Sequence, residues 1–350
     1  MTASPRWISL GLLGVCLLAL LIGLLTALQG GLATQGGLNS DKNAHKGAQL
    51  LSPLKGPSLM AIDLSGPIIM STEDNGLFSK GDSNAVTARK GLEEALEDDS
   101  VKGVLLAINS PGGTVGMSQE LNRAVRRLAE RKPVVAYMGD MAASGGYYAA
   151  CGATKIMANP GTLTGSIGVI LSTLNFKTLM QDKLGVRAYT IKSGRYKDLL
   201  NPYREMTDDE RALIQALIDA SYQQFLTAVI EGRTAALSDD AVKRARAASI
   251  RAVADGRVLI GAQAQKAGLV DALGDVSDAQ ALLTRLAQTR FHLPDSEKLP
   301  IKEYSRRGTL ADWIGLKREG AAQGGDALGA LSAALPLSLR YPGQPLWIAE

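Results

Sequence analysis

An alternation that begins near residue 59 limits the fold of this chain more than any other feature. Short apolar runs at 59–64, 103–108, 134–138 and 155–158 carry little polar interruption. Runs of that length and composition suit strands buried on both faces, as in a parallel sheet. Between them, residues 85–97 and 117–131 place apolar side chains at helical spacing. Alternating strand and helix patterns predict βαβ units, and so an α/β fold with a largely parallel sheet. Further on, Thr207-Asp208-Asp209-Glu210 is a capping box opening a long helix to about residue 232. Its apolar positions include Leu213, Leu217, Phe225 and Val229, and core or subunit packing is expected for them. Residues 257–274 read as a short strand, a glycine-started helix and a glycine turn, followed by a helix over 276–288.

The flanks are different in kind. Residues 1–7 form a short leading segment, and residues 8–28 run without a charge. As a helix that run spans about 30 Å, the thickness of a hydrocarbon core. A cleaved signal peptide has a shorter apolar core and a small-x-small site, and Thr26-Ala27-Leu28 is a poor one. An uncleaved transmembrane anchor is therefore expected. Residues 29–57 are rich in Gly, Asn, Gln and Lys and read as a flexible tether. One folded domain is expected over 58–293. The extension at 294–350 is harder to read: a short amphipathic stretch at 311–317, a Gly/Ala-rich stretch at 320–329 and a tail at 335–347 with three prolines. The sequence leaves that tail open between disorder, a subunit contact and a membrane contact.

Composition removes several function classes. The net charge is +4, with basic and acidic residues interspersed, so no nucleic-acid stripe is visible. Cys16 and Cys151 make no disulfide framework. There is no Walker A sequence and no His-Glu-x-x-His, so no metal, nucleotide or flavin cofactor is expected.

Ser144 is the leading candidate for chemistry. It lies in Asp140-Met141-Ala142-Ala143-Ser144-Gly145-Gly146-Tyr147-Tyr148, among small residues where a strand gives way to a helix. A serine hydroxyl is a weak nucleophile until a base takes its proton. The two histidines, His45 in the tether and His292 in a late proline-containing stretch, are not placed to serve it. Lysine is the usual substitute. A lysine base must be neutral, and burial beside apolar groups favours the neutral form. Lys197, in Ser193-Gly194-Arg195-Tyr196-Lys197-Asp198-Leu199-Leu200, follows an apparent strand at 187–192 and is the best candidate. Lys192 is its nearest rival, and Asp198 stands beside Lys197 with an effect the sequence leaves open. At the start of a helix, backbone N–H groups lack intrahelical partners, so Gly145 is a candidate oxyanion donor. A second donor is expected from Asn109-Ser110-Pro111-Gly112-Gly113, with Gly113 first and Gly112 close behind, because glycine allows close backbone approach.

These segments occur in order with Thr164-Gly165-Ser166-Ile167-Gly168-Val169, Asp255-Gly256-Arg257-Val258 and Gly268-Leu269-Val270-Asp271. The ordered set resembles signal peptide peptidase A, the membrane-anchored Ser/Lys peptidase family of bacteria, from about residue 57 to about residue 282. The chain is similar to the short form, with one catalytic domain. The resemblance implies a crotonase/Clp-protease-like stack of βα units behind one N-terminal transmembrane helix. It implies Ser144 as nucleophile, Lys197 as general base, Ser166 as the hydroxyl that orients the lysine, and Gly113 and Gly145 as the oxyanion hole. Also implied are a homo-oligomeric ring or dome, in which serine and lysine can come from neighbouring subunits, and a single-pass protein of the bacterial cell membrane. Its catalytic domain would face away from the cytoplasm, and its substrates would be signal-peptide remnants and similar apolar, unfolded peptides. Two other classes stay open: acyl-CoA chemistry on a crotonase-type fold, and an inactive membrane scaffold.

Overall fold

The computed structural model describes residues 56–70, 73–74, 80–81, 83–304 and 346–348. The expected anchor, all but the last two residues of the tether, and the stretches at 311–317 and 320–329 lie outside the described residues. Among the described residues no helix is long and apolar enough to cross a membrane.

The apolar runs are strands and the periodic stretches are helices. In chain order they are β1 (Ser58–Ser65), a two-residue hairpin of β2 (Glu73–Asp74) with β3 (Lys80–Gly81), α1 (Asn84–Glu97), β4 (Val101–Ser110) and β5 (Gly112–Thr114). There follow α2 (Val115–Arg131), β6 (Val134–Ala143), α3 (Gly145–Ala150), β7 (Lys155–Ala158) and β8 (Leu163–Gly165). The second half holds α4 (Asp208–Thr234), α5 (Asp240–Arg251), β9 (Val258–Ile260), α6 (Gly261–Ala267), β10 (Ala272–Leu273), α7 (Val276–Phe291), β11 (Ile301–Glu303) and β12 (Leu346–Ile348). The main sheet runs β10-β7-β6-β4-β1-β11, with β8 on the far end of β6 and β9 on β8. All its pairings are parallel except β8 with β9. Residues just past 293 thus return to the sheet through β11, which pairs with β1.

Period-two alternation divides the core between two faces. Val104, Leu106 and Ile108 of β4, with Val134, Ala136 and Met138 of β6, pack under α1, α2 and α3. Leu59, Leu105, Val135 and Met157 point the other way, against Ala279, Leu283 and Ala287 of α7. Those three are four residues apart, one stripe of a helix. Full burial of a side chain such as Leu283 is worth about 1.5–3 kcal/mol. α4 begins at the expected capping box, in which Thr207 and Glu210 satisfy each other's backbone N–H. Its apolar stripe divides: Phe225 and Val229 enter the core, whereas Leu213 and Leu217 stay exposed.

One expected element is absent. Residues 187–192 are not a strand. From Gly168 to Asp209 no residue is buried, and Ile191 is fully exposed. A strand needs a partner edge and a packed face, and among the described residues this segment has neither. Its regular structure is one π-helical turn, Leu179–Lys183.

Candidate active site

β6 is long enough to pair with β7 through its first half and with β8 through its last three residues. That second pairing delivers the chain to Ser144, which caps α3 with φ 53° and ψ −118°. Positive φ is uncommon for a residue with a Cβ, and holding one in such a region costs on the order of 1–3 kcal/mol. Several contacts impose it. The Ser144 N–H donates to the Gly165 carbonyl at 2.8 Å. Thr164 Oγ1 donates to the Ala142 carbonyl at 2.7 Å, one step before the turn. Tyr147 Oη donates to the Leu269 carbonyl at 2.8 Å, and Asn122 Nδ2 to the Tyr148 carbonyl at 2.7 Å, which fixes α3 from both sides. A Cβ on Gly146 would lie 2.9 Å from the Ser110 carbonyl oxygen, so the helix can sit this close to β4 only with glycine there.

The result is a serine only 1% exposed whose Oγ has no hydrogen-bond partner. Among the described residues the Ser58 hydroxyl is the other such group. An unpaired buried hydroxyl forgoes about 1–3 kcal/mol. Beside it, the N–H of Gly145 stands in the first turn of α3 and has no intrahelical acceptor.

β5 lies against α3 and carries Gly113. A Cβ on Gly113 would sit 2.1 Å from the Ile68 carbonyl oxygen, so any side chain at this position is excluded. Ile68 N–H donates to the Gly112 carbonyl and Thr114 N–H to the Ile68 carbonyl, at 2.9 and 2.8 Å. Strand alternation therefore turns the N–H of Gly113 to the opposite edge. β12, close to the chain's own end, runs antiparallel along that edge with Trp347 opposite Gly113. The tail thus pairs with the strand that holds the expected second oxyanion donor.

Ser166 follows directly on Gly165, is 7% exposed and has φ 49°. The structure therefore brings Ser144, Gly145, Gly113 and Ser166 into one region. It does not bring Lys197 there: the side chain is exposed, and it makes no hydrogen bond or ion pair among the described residues. Its rival is occupied. Lys192 Nζ donates to the Arg195 carbonyl at 3.0 Å and pairs with the Asp198 carboxylate. Asp198 also receives Arg204 Nε at 2.8 Å, and Arg204 continues to Glu210. Hydrogen bonds from Arg204, then Lys192, hold the Asp198 carboxyl well below the usual carboxylate range. The open question about Asp198 is answered: its charge is committed to Lys192 and Arg204.

The one buried lysine among the described residues was not legible as such. Lys132 Nζ donates to the Ala95 and Asp98 carbonyls at 2.7 Å each, and burial pushes its pKa down. It precedes β6, however, while Ser144 follows it. A ten-residue strand at about 3.3 Å per residue separates the two by about 30 Å. His292 ends α7, in the opposite layer from α3. A groove of about 790 Å³ opens between α2 and α4, lined by Arg123, Arg126, Tyr148 and Glu231 among others, and none of the candidate residues borders it. Among the described residues no group of three His, Cys, Asp or Glu side chains is placed to hold a metal ion. Cys151 is free and buried, and burial pushes its thiol up to about 12.

A buried, strained serine at a strand-to-helix turn, beside the unpaired N–H of Gly145 on a largely parallel α/β sheet, defines a serine hydrolase arrangement. The model of peptidase family S49 matches residues 126–290. The "Putative protease slr0021" of Synechocystis sp. is 38% identical over 80% of this chain and 95% of its own length. The "Putative signal peptide peptidase SppA" of Enterococcus faecium is 32% identical over 89% of this chain and 88% of its own. "Protease 4" of Salmonella typhi is 31% identical over 70% of this chain but only 37% of its own length. The chain belongs to peptidase family S49, the family of signal peptide peptidase A, and is a serine peptidase.

Proposed function

We propose that this chain is a membrane-anchored endopeptidase working through a Ser144/Lys197 dyad on apolar, unfolded peptides such as signal-peptide remnants. Ser144 attacks the peptide carbonyl. Lys197 takes the hydroxyl proton and returns it to the leaving amine, and Ser166 orients the lysine without adding charge. The N–H groups of Gly145 and Gly113 stabilise the oxyanion, each such donor being worth about 2.7–4 kcal/mol. Water then releases the acyl group.

The observation that carries this reading is the Ser144 hydroxyl, buried and unpaired beside the free N–H of Gly145. The lysine comes from a neighbouring copy in a homo-oligomer with a crotonase/Clp-protease-like stack. Supporting this, Lys197 sits exposed on a segment without buried residues, amid exposed Leu174, Phe176, Ile191 and Tyr196. Such an apolar surface suits a subunit contact. The pairing of β12 with β5 supports a groove that takes extended chains by strand addition. Residues 8–28 anchor the chain in the bacterial cell membrane, with residues 58–293 as the peptidase domain on the non-cytoplasmic side.

Labelling with a fluorophosphonate tests the reading. The adduct should map to Ser144 and disappear in Ser144→Ala. Acyl-CoA chemistry on this fold, or an inactive scaffold, would leave Ser144 unlabelled.

A further inference from the structure

One segment of the chain touches the site and has no part in the mechanism above: the turn Asp255-Gly256-Arg257. Its side chains form a closed clasp. Arg257 Nε donates to Asp255 Oδ1 at 2.7 Å and to Oδ2 at 3.0 Å, and the Arg257 backbone N–H donates to Oδ1 at 3.2 Å. Gly256 between them has φ 88°, which lets the turn fold back on itself. Both charged side chains are about half exposed, so the pair adds little to overall stability. The clasp closes the turn whose last carbonyl faces Ser166. The Arg257 carbonyl accepts the Ser166 N–H at 2.9 Å, and Gly165 and Gly168 lie against the turn so closely that added Cβ atoms would fall 3.2 Å from the Arg257 oxygen and 3.3 Å from the Gly256 Cα.

From there the linkage continues in one step to the nucleophile. Gly165 and Ser166 are successive residues with positive φ, and the Gly165 carbonyl accepts the Ser144 N–H at 2.8 Å. Ser166 and Ser144 are both residues with a Cβ in a conformation that a free chain avoids. Such conformations persist only where the surroundings over-determine them. The antiparallel pairing of β8 with β9 ends at Gly165 opposite Val258, and the next backbone hydrogen bond runs from Ser166 to the Arg257 carbonyl, just before Ile167 enters the core.

We propose that Asp255 and Arg257 are positioning residues: their clasp sets the Arg257 carbonyl that holds Ser166, and through Gly165 the Ser144 turn, in working geometry. The inference rests on the roles given to Ser144 and Ser166 above. It concerns the turn over the reaction, so substrate binding along β5 is untouched.

Kinetics of the full-length chain in detergent, with Asp255→Ala and Asp255→Asn, test it. Asn keeps an oxygen for the Arg257 backbone N–H, and Ala removes it. Asp255→Ala should lose about tenfold or more in kcat, the scale of a small misplacement of reacting groups. Its KM and Tm should match wild type. Asp255→Asn should recover most of the loss. Wild-type kcat in Asp255→Ala overturns the proposal, as does a loss that Tm follows and Asn does not rescue. Fluorophosphonate labelling of the wild type separates the two levels. A labelled Ser144 with an unimpaired Asp255→Ala refutes the clasp alone, while an unlabelled wild type refutes the dyad beneath it.

Discussion

At the residue scale the chain separates two lysines that its sequence leaves as rivals. Lys192 is tied to Asp198 and to the Arg195 carbonyl, whereas Lys197 has no such partner among the described residues. Removing the two side chains should therefore do different things. Lys197→Ala should abolish turnover, and the double variant with Ser144→Ala should be no worse than either alone, because groups acting as one unit lose activity non-additively. Lys192→Ala should loosen the Asp198–Arg204 network and reduce activity only in part. Steady-state assays on the purified variants check this, and full activity in Lys197→Ala would remove it from the mechanism. The same assay read against pH should show no inflection near the histidine value of about 6.5, since no histidine serves Ser144. Ser144 was legible because a small-residue turn between strand and helix patterns announces itself. The clasp at Asp255 and Arg257 was not, since its effect passes through backbone carbonyls that every residue has.

At the element scale, the tail lies along one edge of β5. β12 lies along the edge to which the Gly113 N–H points, the place where an extended substrate would add as a strand. Deleting residues 344–350 should uncover that edge without touching the described core, which lies at or before Tyr304. KM for a short peptide should fall severalfold, as expected when a tethered competitor at millimolar effective concentration is removed. Unchanged KM would show that the tail does not compete. The tail's pairing could not be read beforehand, because three prolines interrupt its pattern and a strand's partner is set by register, not composition. The strand expected at 187–192 failed for the converse reason. Its residues have strand character, but no edge among the described residues pairs with them.

At the scale of the whole molecule, the proposal divides the site between copies. If serine and lysine meet across an interface, two inactive variants should complement each other. Co-assembly of Ser144→Ala with Lys197→Ala in equal amounts should restore about one quarter of wild-type activity, the chance that an interface pairs the two intact residues in a closed ring. No recovery in a mixed assembly would place both groups in one chain. The βα alternation from residue 59, the Ser144 turn and the capping box at Thr207 were fixed by the sequence alone, because periodicity and local chemistry determine such elements within a few residues. Only the tertiary structure decided that Ser144 Oγ is buried without a partner, that Lys192 is engaged while Lys197 has no side-chain partner among the described residues, and that the tail pairs with β5. The burial of Ser144 and the pairing of the tail depend on contacts between residues tens to hundreds of positions apart, which exist only once the chain has folded, whereas Lys192 is engaged by Arg195 and Asp198, three and six positions away, through a local turn that no periodicity announces.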